Sequence, residues 1–207
     1  MVYFEQISDL FKSGDLKMEQ TKKDIIESAA EIFVKYGFKK ATIEDIAKKI
    51  NKAKGYIYYY FKDKEDLFRA IIEKEGTTLI STMRQNVDKA EMPDEKLKVF
   101  IITRAKCLNE LSNYYSVLID KFFIEREKLQ KVRIALDKEE RKLLKEILEK
   151  GNNSNYFDIK NVDLTLDGLI FFIKGLEYSW VTEKNILLLE KNLDVIVRLL
   201  IDGMKKR

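Results

Sequence analysis

Residues 42–61 read TIEDIAKKINKAKGYIYYYF, and the fold turns on how that stretch divides. Ile43, Ile46, Ala47 and Ile50 recur at i, i+3, i+4 and i+7, which predicts a short amphipathic helix with Thr42 as its N-cap. Asn51-Lys52 reads as a tight turn, and a further short helix is expected from about Ala53 to Tyr60. Ile57 and Phe61 lie four apart and can share a small core, while Ala47 is small enough to let the two helices cross closely. That leaves Lys54, Gly55, Tyr56, Tyr58, Tyr59 and Tyr60 largely on outward faces. Four tyrosines in five positions suit a core poorly, because each buried hydroxyl needs a partner. Against a duplex, a phenol can donate to a phosphate while its ring packs on sugar or a thymine methyl. Gly55 lets the backbone come close; Lys52, Lys54 and Lys64 can meet phosphates, and Lys54 can reach a guanine edge.

Upstream, Ile25, Ile26, Ala29, Ala30, Phe33 and Val34 fall on one face of a helix expected from Thr21, its N-cap, to Tyr36, with Gly37 as the stop. Downstream, Asp63 caps a fourth helix with Asp66 three residues on, carrying Leu67, Phe68, Ile71 and Ile72 towards Asn86. Gly76 within it is read as a place to bend. Residues 1–17 are expected to be a separate short amphipathic helix through Val2, Phe4, Ile7, Leu10 and Phe11, ended by Gly14. Between Lys39 and Lys64 about eight lysines face three acids, the local excess that a phosphate-facing surface needs.

Over residues 22–70 the chain resembles the DNA-binding domain of the TetR (tetracycline repressor-like) family. The resemblance is carried by AAEIF at 29–33, YGF at 36–38, ATIEDIA at 41–47, KGYIYYYF at 54–61 and KEDL at 64–67. It implies that Thr42 caps the second helix and approaches a phosphate. Lys54, Gly55 and Tyr58 would lie nearest base edges, Tyr56 and Tyr60 would touch the DNA backbone, and Lys64 would grip a phosphate at the start of the fourth helix. Where the family often has Gly-Val-Ser in the turn, this chain has Asn51-Lys52-Ala53. Ala53 cannot cap as serine does, so the cap is weaker or supplied by Asn51, and Lys52 adds a phosphate contact.

The remaining composition narrows the function. Among 207 residues there is no histidine, which excludes a Ser-His-Asp triad, a Cys-His dyad and a zinc finger. Cys107 is the single cysteine, so no intrachain disulfide forms and a reducing, cytoplasmic setting is expected. No apolar run reaches the ~18 residues of a membrane span, and no cofactor is implied. One proline and eight glycines are too few for the turns of a β protein. The fold class is therefore all-α: an appendage at 1–17, a helix-turn-helix domain at 18–76 and a larger helical domain at 77–207.

Helical patterns follow at about 94–112, 116–127, 128–150, 162–183 and 185–205, with 151–155 (GNNSN) as the clearest loop. The resemblance implies that this domain binds a ligand and dimerises. Two apolar helices would pair across a two-fold axis through Leu169, Ile173, Leu176, Leu189, Leu193, Ile196, Val197, Leu200 and Met204. Candidate pocket residues are Met83, Cys107, Leu111, Tyr114, Tyr115, Phe122, Phe123, Phe171, Phe172, Tyr178 and Trp180, which suit a small apolar or aromatic inducer. The reading is a homodimeric regulator, a repressor by family default, that binds palindromic double-stranded operator DNA and is released by that inducer. A regulator without an inducer and a helical protein-interaction scaffold are the alternatives.

Overall fold

The computed structural model describes the backbone of residues 2–111, 127–182 and 186–206, and the side chains of 18–111, 127, 129–177 and 191–206. Among them lie eight α-helices: α1 (Val2–Lys40), α2 (Ile43–Lys49), α3 (Lys54–Tyr60), α4 (Lys64–Lys89), α5 (Pro93–Glu110), α6 (Glu127–Asn153), α7 (Val162–Thr182) and α8 (Ile186–Met204). The chain divides into two compact units, residues 1–72 and 73–207. The helix expected at 116–127 lies outside the described residues, save for its last position.

In the first unit, α1 differs from expectation. It runs unbroken through Gly14 and Thr21, so Gly14 does not end a helix and Thr21 does not begin one. A glycine inside a helix costs about 1 kcal/mol against alanine but keeps its N–H in the ladder, so it weakens without breaking. Gly37 is the true interruption: at φ 73° and ψ 157° it leaves the helical region, and a last turn follows it. The buried face of α1 carries Ile25, Ala29, Ile32 and Phe33, whereas Val34 faces out. Phe33 packs edge-on against Phe68 at 5.0 Å, and Phe38 lies 4.8 Å from Phe68.

Helix α2 starts on a reciprocal cap. The Asp45 N–H donates to the Thr42 hydroxyl at 3.1 Å, and the Thr42 N–H donates back to the Asp45 carboxylate at 3.0 Å. Asn51 then takes the left-handed conformation, φ 54°, which asparagine tolerates, and this turns the chain into α3. Ala53 sits at the N-cap of α3 with no side-chain cap, and Asn51 supplies none. Ile43, Ile46, Ala47, Ile57 and Phe61 are buried, so α2 and α3 join α1 around one small core. Asp63 caps α4 through the Asp66 N–H at 2.7 Å.

In the second unit α5 is the hub, with α6, α7 and α8 all packed on it and α6 on α7. Pro93 opens α5 at a position where its missing N–H costs nothing. Two glycines mark close approaches. Gly76 does not interrupt α4; it is buried, and a Cβ there would fall 2.1 Å from Leu136 Cδ1. Gly151 lies inside α6, which extends to Asn153, so the first three residues of the expected five-residue loop are helix. A Cβ on Gly151 would fall 2.2 Å from the Phe157 ring. The chain turns at Ser154 and Asn155, and residues 156–158 pair with the end of α8 through the Asp158 N–H to Met204 O at 2.8 Å.

Candidate nucleic-acid interface

Helix α3 divides its side chains sharply. Ile57, and Phe61 just after the helix, are buried, whereas Tyr59 is 74% exposed and Tyr58 47%. Tyr56 and Tyr60 are half-buried with ring centroids 5.4 Å apart, and Tyr60 meets Tyr59 edge-on at 5.0 Å. Burial pushes the Tyr60 phenol above its ordinary value, its hydrogen bond to Tyr56 adds to this, and one from Thr21 opposes it. Tyr60 thus ties α3 to α1, while Tyr58 and Tyr59 form the outward face.

The lysines separate in the same way. Lys48 pairs with Glu44 at 2.9 Å and Lys49 pairs with Glu31. Lys52 and Lys54 are exposed and lie over aromatic rings, Lys52 over Tyr56 at 5.3 Å and Lys54 over Tyr58 at 5.7 Å. Gly55 is exposed, with open space where a Cβ would stand. Lys52, Lys54, Gly55, Tyr58 and Tyr59 therefore make one exposed basic and aromatic surface.

Two expected phosphate ligands use their polar atoms internally. The Thr42 hydroxyl donates to the Asp45 carboxylate at 2.6 Å, and that bond holds the Asp45 carboxyl below its ordinary value. The Lys64 ammonium donates to backbone carbonyls of Phe38 at 2.8 Å, Ala41 at 3.0 Å and Lys39 at 3.5 Å.

The expected dimer and pocket residues are redistributed in the second unit. Leu169, Ile173, Leu193 and Val197 are buried within the chain, and Leu176, Ile196, Leu200 and Met204 are half-buried. The apolar surface that α7 and α8 leave open is another one: Leu164 (69% exposed), Phe171 (83%), Val195 (61%) and Leu199 (69%). Both helices are apolar on two faces, and periodicity alone does not tell which face the chain itself covers. Phe171, expected in a pocket, stands on this open surface of the single chain. Met83 is fully buried, while Cys107, Leu111 and Phe172 are half-buried. Burial, then Glu110, raises the Cys107 thiol, which keeps it protonated. Tyr114, Tyr115, Phe122 and Phe123 lie outside the described residues, as do the side chains of Tyr178, Trp180 and Leu189. One groove among the described residues, of about 450 Å³, is lined instead by Asn86, Lys98, Val99, Ile102, Thr103 and Lys106.

Sequence reasoning missed a buried ion triad. Arg104 on α5 binds Glu140 on α6 through Nε and Glu177 on α7 through Nη2, and all three are buried. Burial works against the charge on Arg104, but Glu140 and Glu177 outweigh it and keep the guanidinium protonated. Burial raises the Glu140 carboxyl above its ordinary value, and Arg104 opposes without cancelling this. The signal was available: Arg104 shares a helical face with Leu97, Ile101 and Leu108.

No helix among the described residues is long and apolar enough to cross a membrane. A family model described as bacterial regulatory proteins, tetR family, matches residues 25–71. An uncharacterized HTH-type transcriptional regulator of Bacillus subtilis, YhgD, is 30% identical over 77% of this chain and 83% of its own. The HTH-type transcriptional regulator QacR of Staphylococcus aureus is 26% identical over 89% of this chain and 98% of its own. Among solved structures, the transcriptional regulator FadR from Bacillus subtilis, in complex with stearoyl-CoA, superposes with a TM-score of 0.70 at 23% identity, covering 87% of this chain and 97% of that one. A TetR/AcrR-family regulator from Thermobifida fusca gives 0.73 at 18% identity, over 90% and 100% of the two chains. With a helix-turn-helix built on a buried Ile57 and Phe61, and a relative of this likeness along most of its length, the chain belongs to the TetR family of transcriptional regulators.

Proposed function

We propose that the chain is a cytoplasmic, homodimeric, ligand-responsive repressor that binds palindromic operator DNA through the surface of α3. The observation that carries this reading is the division of that helix: Ile57 anchors it in the core while Tyr58, Tyr59, Lys54 and Gly55 stand outside. The exposed rings and cations suit base edges and phosphates. Its relatives are regulators, and a catalytic role has no support from any residue set described above.

A second copy would cover the apolar side chains that α7 and α8 each leave open. Leu164 and Phe171 lie seven apart on α7, Val195 and Leu199 four apart on α8, and Gly168 and Gly175 between and beyond them leave open space for a partner helix. Two copies joined there would present two recognition helices to a palindrome, and their affinities would combine. A small apolar or aromatic ligand in the second unit would shift the dimer towards a spacing that DNA does not accept, and DNA would weaken that ligand by the same factor. The stearoyl-CoA held by FadR makes long acyl thioesters the first compounds to try.

Selection of bound sequences from random duplex DNA tests the reading. A palindromic consensus bound with a steep salt dependence is expected. Recovery of no consensus at low ionic strength would overturn it. Mobility shift on the selected duplex, titrated with acyl thioesters and then aromatic compounds, tests induction.

A further inference from the structure

We propose that Thr21 of α1 is a positioning residue for the recognition helix: its hydroxyl starts a chain through Tyr60 to Tyr56 that fixes how these two phenols meet the DNA backbone. The assignment rests on the DNA-binding reading above and deepens it. Thr21 lies inside α1 and not at its start, so its hydroxyl does not cap that helix. It is half-buried, on the face of α1 that carries Ile25 one turn later. The neighbouring Lys22 lies over the buried Phe61 ring at 5.5 Å, so this turn of α1 runs beside the end of α3. There the Tyr60 phenol hydrogen-bonds both Thr21 and Tyr56. Its ring also meets Tyr56 at 5.4 Å and Tyr59 edge-on at 5.0 Å.

The two hydrogen bonds run in opposite senses. Thr21 favours the ionised phenol, as a hydroxyl that donates to it does. Tyr56 favours the protonated one, as a hydroxyl that accepts from it does. The protons therefore pass in order, Thr21 to Tyr60 and Tyr60 to Tyr56. Each hydroxyl has one proton, so the last of them, on Tyr56, is left for an oxygen outside the chain. Each donation polarises the next, which makes that proton a better donor to a phosphate. Lys52 lies over the same Tyr56 ring at 5.3 Å, so a phenol and an ammonium stand together there. Without the Thr21 proton, the Tyr60 oxygen loses its tie to α1, and both rings must be ordered when DNA binds.

The experiment uses the full chain, with its tyrosines labelled at the ring carbon that bears oxygen, and the duplex it selects. Thr21→Val keeps the branched shape and removes the proton, Thr21→Ser keeps the proton, and Tyr60→Phe removes the oxygen that accepts it. Thr21→Ala replaces T21V if the valine variant does not fold. At neutral pH and without DNA, carbon NMR reads the hydrogen bonding of each phenol, and the signals missing from Y60F and Y56F assign the two rings. T21V should move the Tyr60 and Tyr56 signals and leave that of Tyr156 in place, and T21S should restore both. On the duplex, fluorescence anisotropy should show T21V about fivefold weaker, with T21S close to the wild type. The slope of log K against log salt should stay as in the wild type, because no charge is lost. In the Y60F background T21V should weaken binding no further. A Tyr60 signal unmoved by T21V, wild-type affinity in T21V, or equal weakening by T21V in both backgrounds overturns the assignment. A salt slope that falls in T21V does so too, since α3 would then have lost its lysine contacts as a whole. A wild type that selects no duplex strikes the DNA-binding reading alone, and the NMR comparison still decides the contact.

Discussion

The Cα of Gly76 on α4 and the side chain of Leu136 on α6 are packed so closely that no methyl fits between them: a Cβ on Gly76 would stand 2.1 Å from Leu136 Cδ1. Gly76→Ala gains helix propensity but must push the leucine aside. Overpacking of this kind costs roughly 1–3 kcal/mol, so a net loss is expected. Adding Leu136→Ala should make the pair less damaging than the sum of the singles, as read by urea denaturation. Additive losses would show that the two residues are not in contact.

Gly55 presents the opposite situation. It is exposed on α3 with nothing within 4 Å of a built Cβ. Gly55→Ala should stabilise the folded chain by about 0.5 kcal/mol, because alanine loses less backbone entropy in a helix. The same methyl would hold the backbone off the duplex, so operator affinity should drop. Melting and anisotropy on one sample would show the two changes with opposite sign.

The two faces of α3 should separate stability from binding. Ile57→Ala removes a fully buried side chain and should cost about 2–5 kcal/mol in denaturant unfolding. Tyr59→Ala, at a position 74% exposed, should leave unfolding within about 0.5 kcal/mol of the wild type while reducing operator affinity.

Phe171→Asp and Leu199→Asp place charge on the open apolar surfaces of α7 and α8. Sedimentation should report a shift from dimer to monomer with helix content retained, and operator binding should weaken as the second half-site is lost. A monomeric wild type would redirect that face to another partner.

Arg104 is the centre of the buried triad, and Arg104→Met would strand two carboxylates in the core, at a cost of about 3–5 kcal/mol. The triad also predicts a pH effect. Glu140 has a folded value raised, first by burial, above the ordinary 4.5, so the folded state holds its proton more tightly than the unfolded one. Its stabilising contribution is complete below 4.5 and is lost as the pH rises through the folded value. Glu140→Gln keeps an oxygen for Arg104 but cannot ionise. Wild type should therefore lose stability relative to E140Q as the pH rises from 4.5, measured by denaturation at a series of pH values.

Much of the first unit was legible beforehand because its signals are local. A cap, a tight turn and an i, i+3, i+4, i+7 stripe each act within a few residues, so Thr42, the turn at Asn51-Lys52 and Ile46 are legible from their neighbours alone, though not the left-handed φ of Asn51. Gly14 and Thr21 misled for the same reason: each is a plausible boundary locally, and only the continuous ladder of α1 shows otherwise. Position in a motif speaks for Lys64 only locally, whereas its three carbonyl partners lie 23 to 26 residues away.

By itself, then, the order of residues determined that the chain is helical, where most helices begin and end, and which side of α3 stands outward, since helix period and capping are short-range properties. Only the tertiary structure decided which apolar face of α7 and α8 the chain buries, that Arg104 meets Glu140 and Glu177, and that Gly76 is there for Leu136. Those choices depend on which helix lies alongside which, and the contacts that settle them join residues 36 to 73 positions apart.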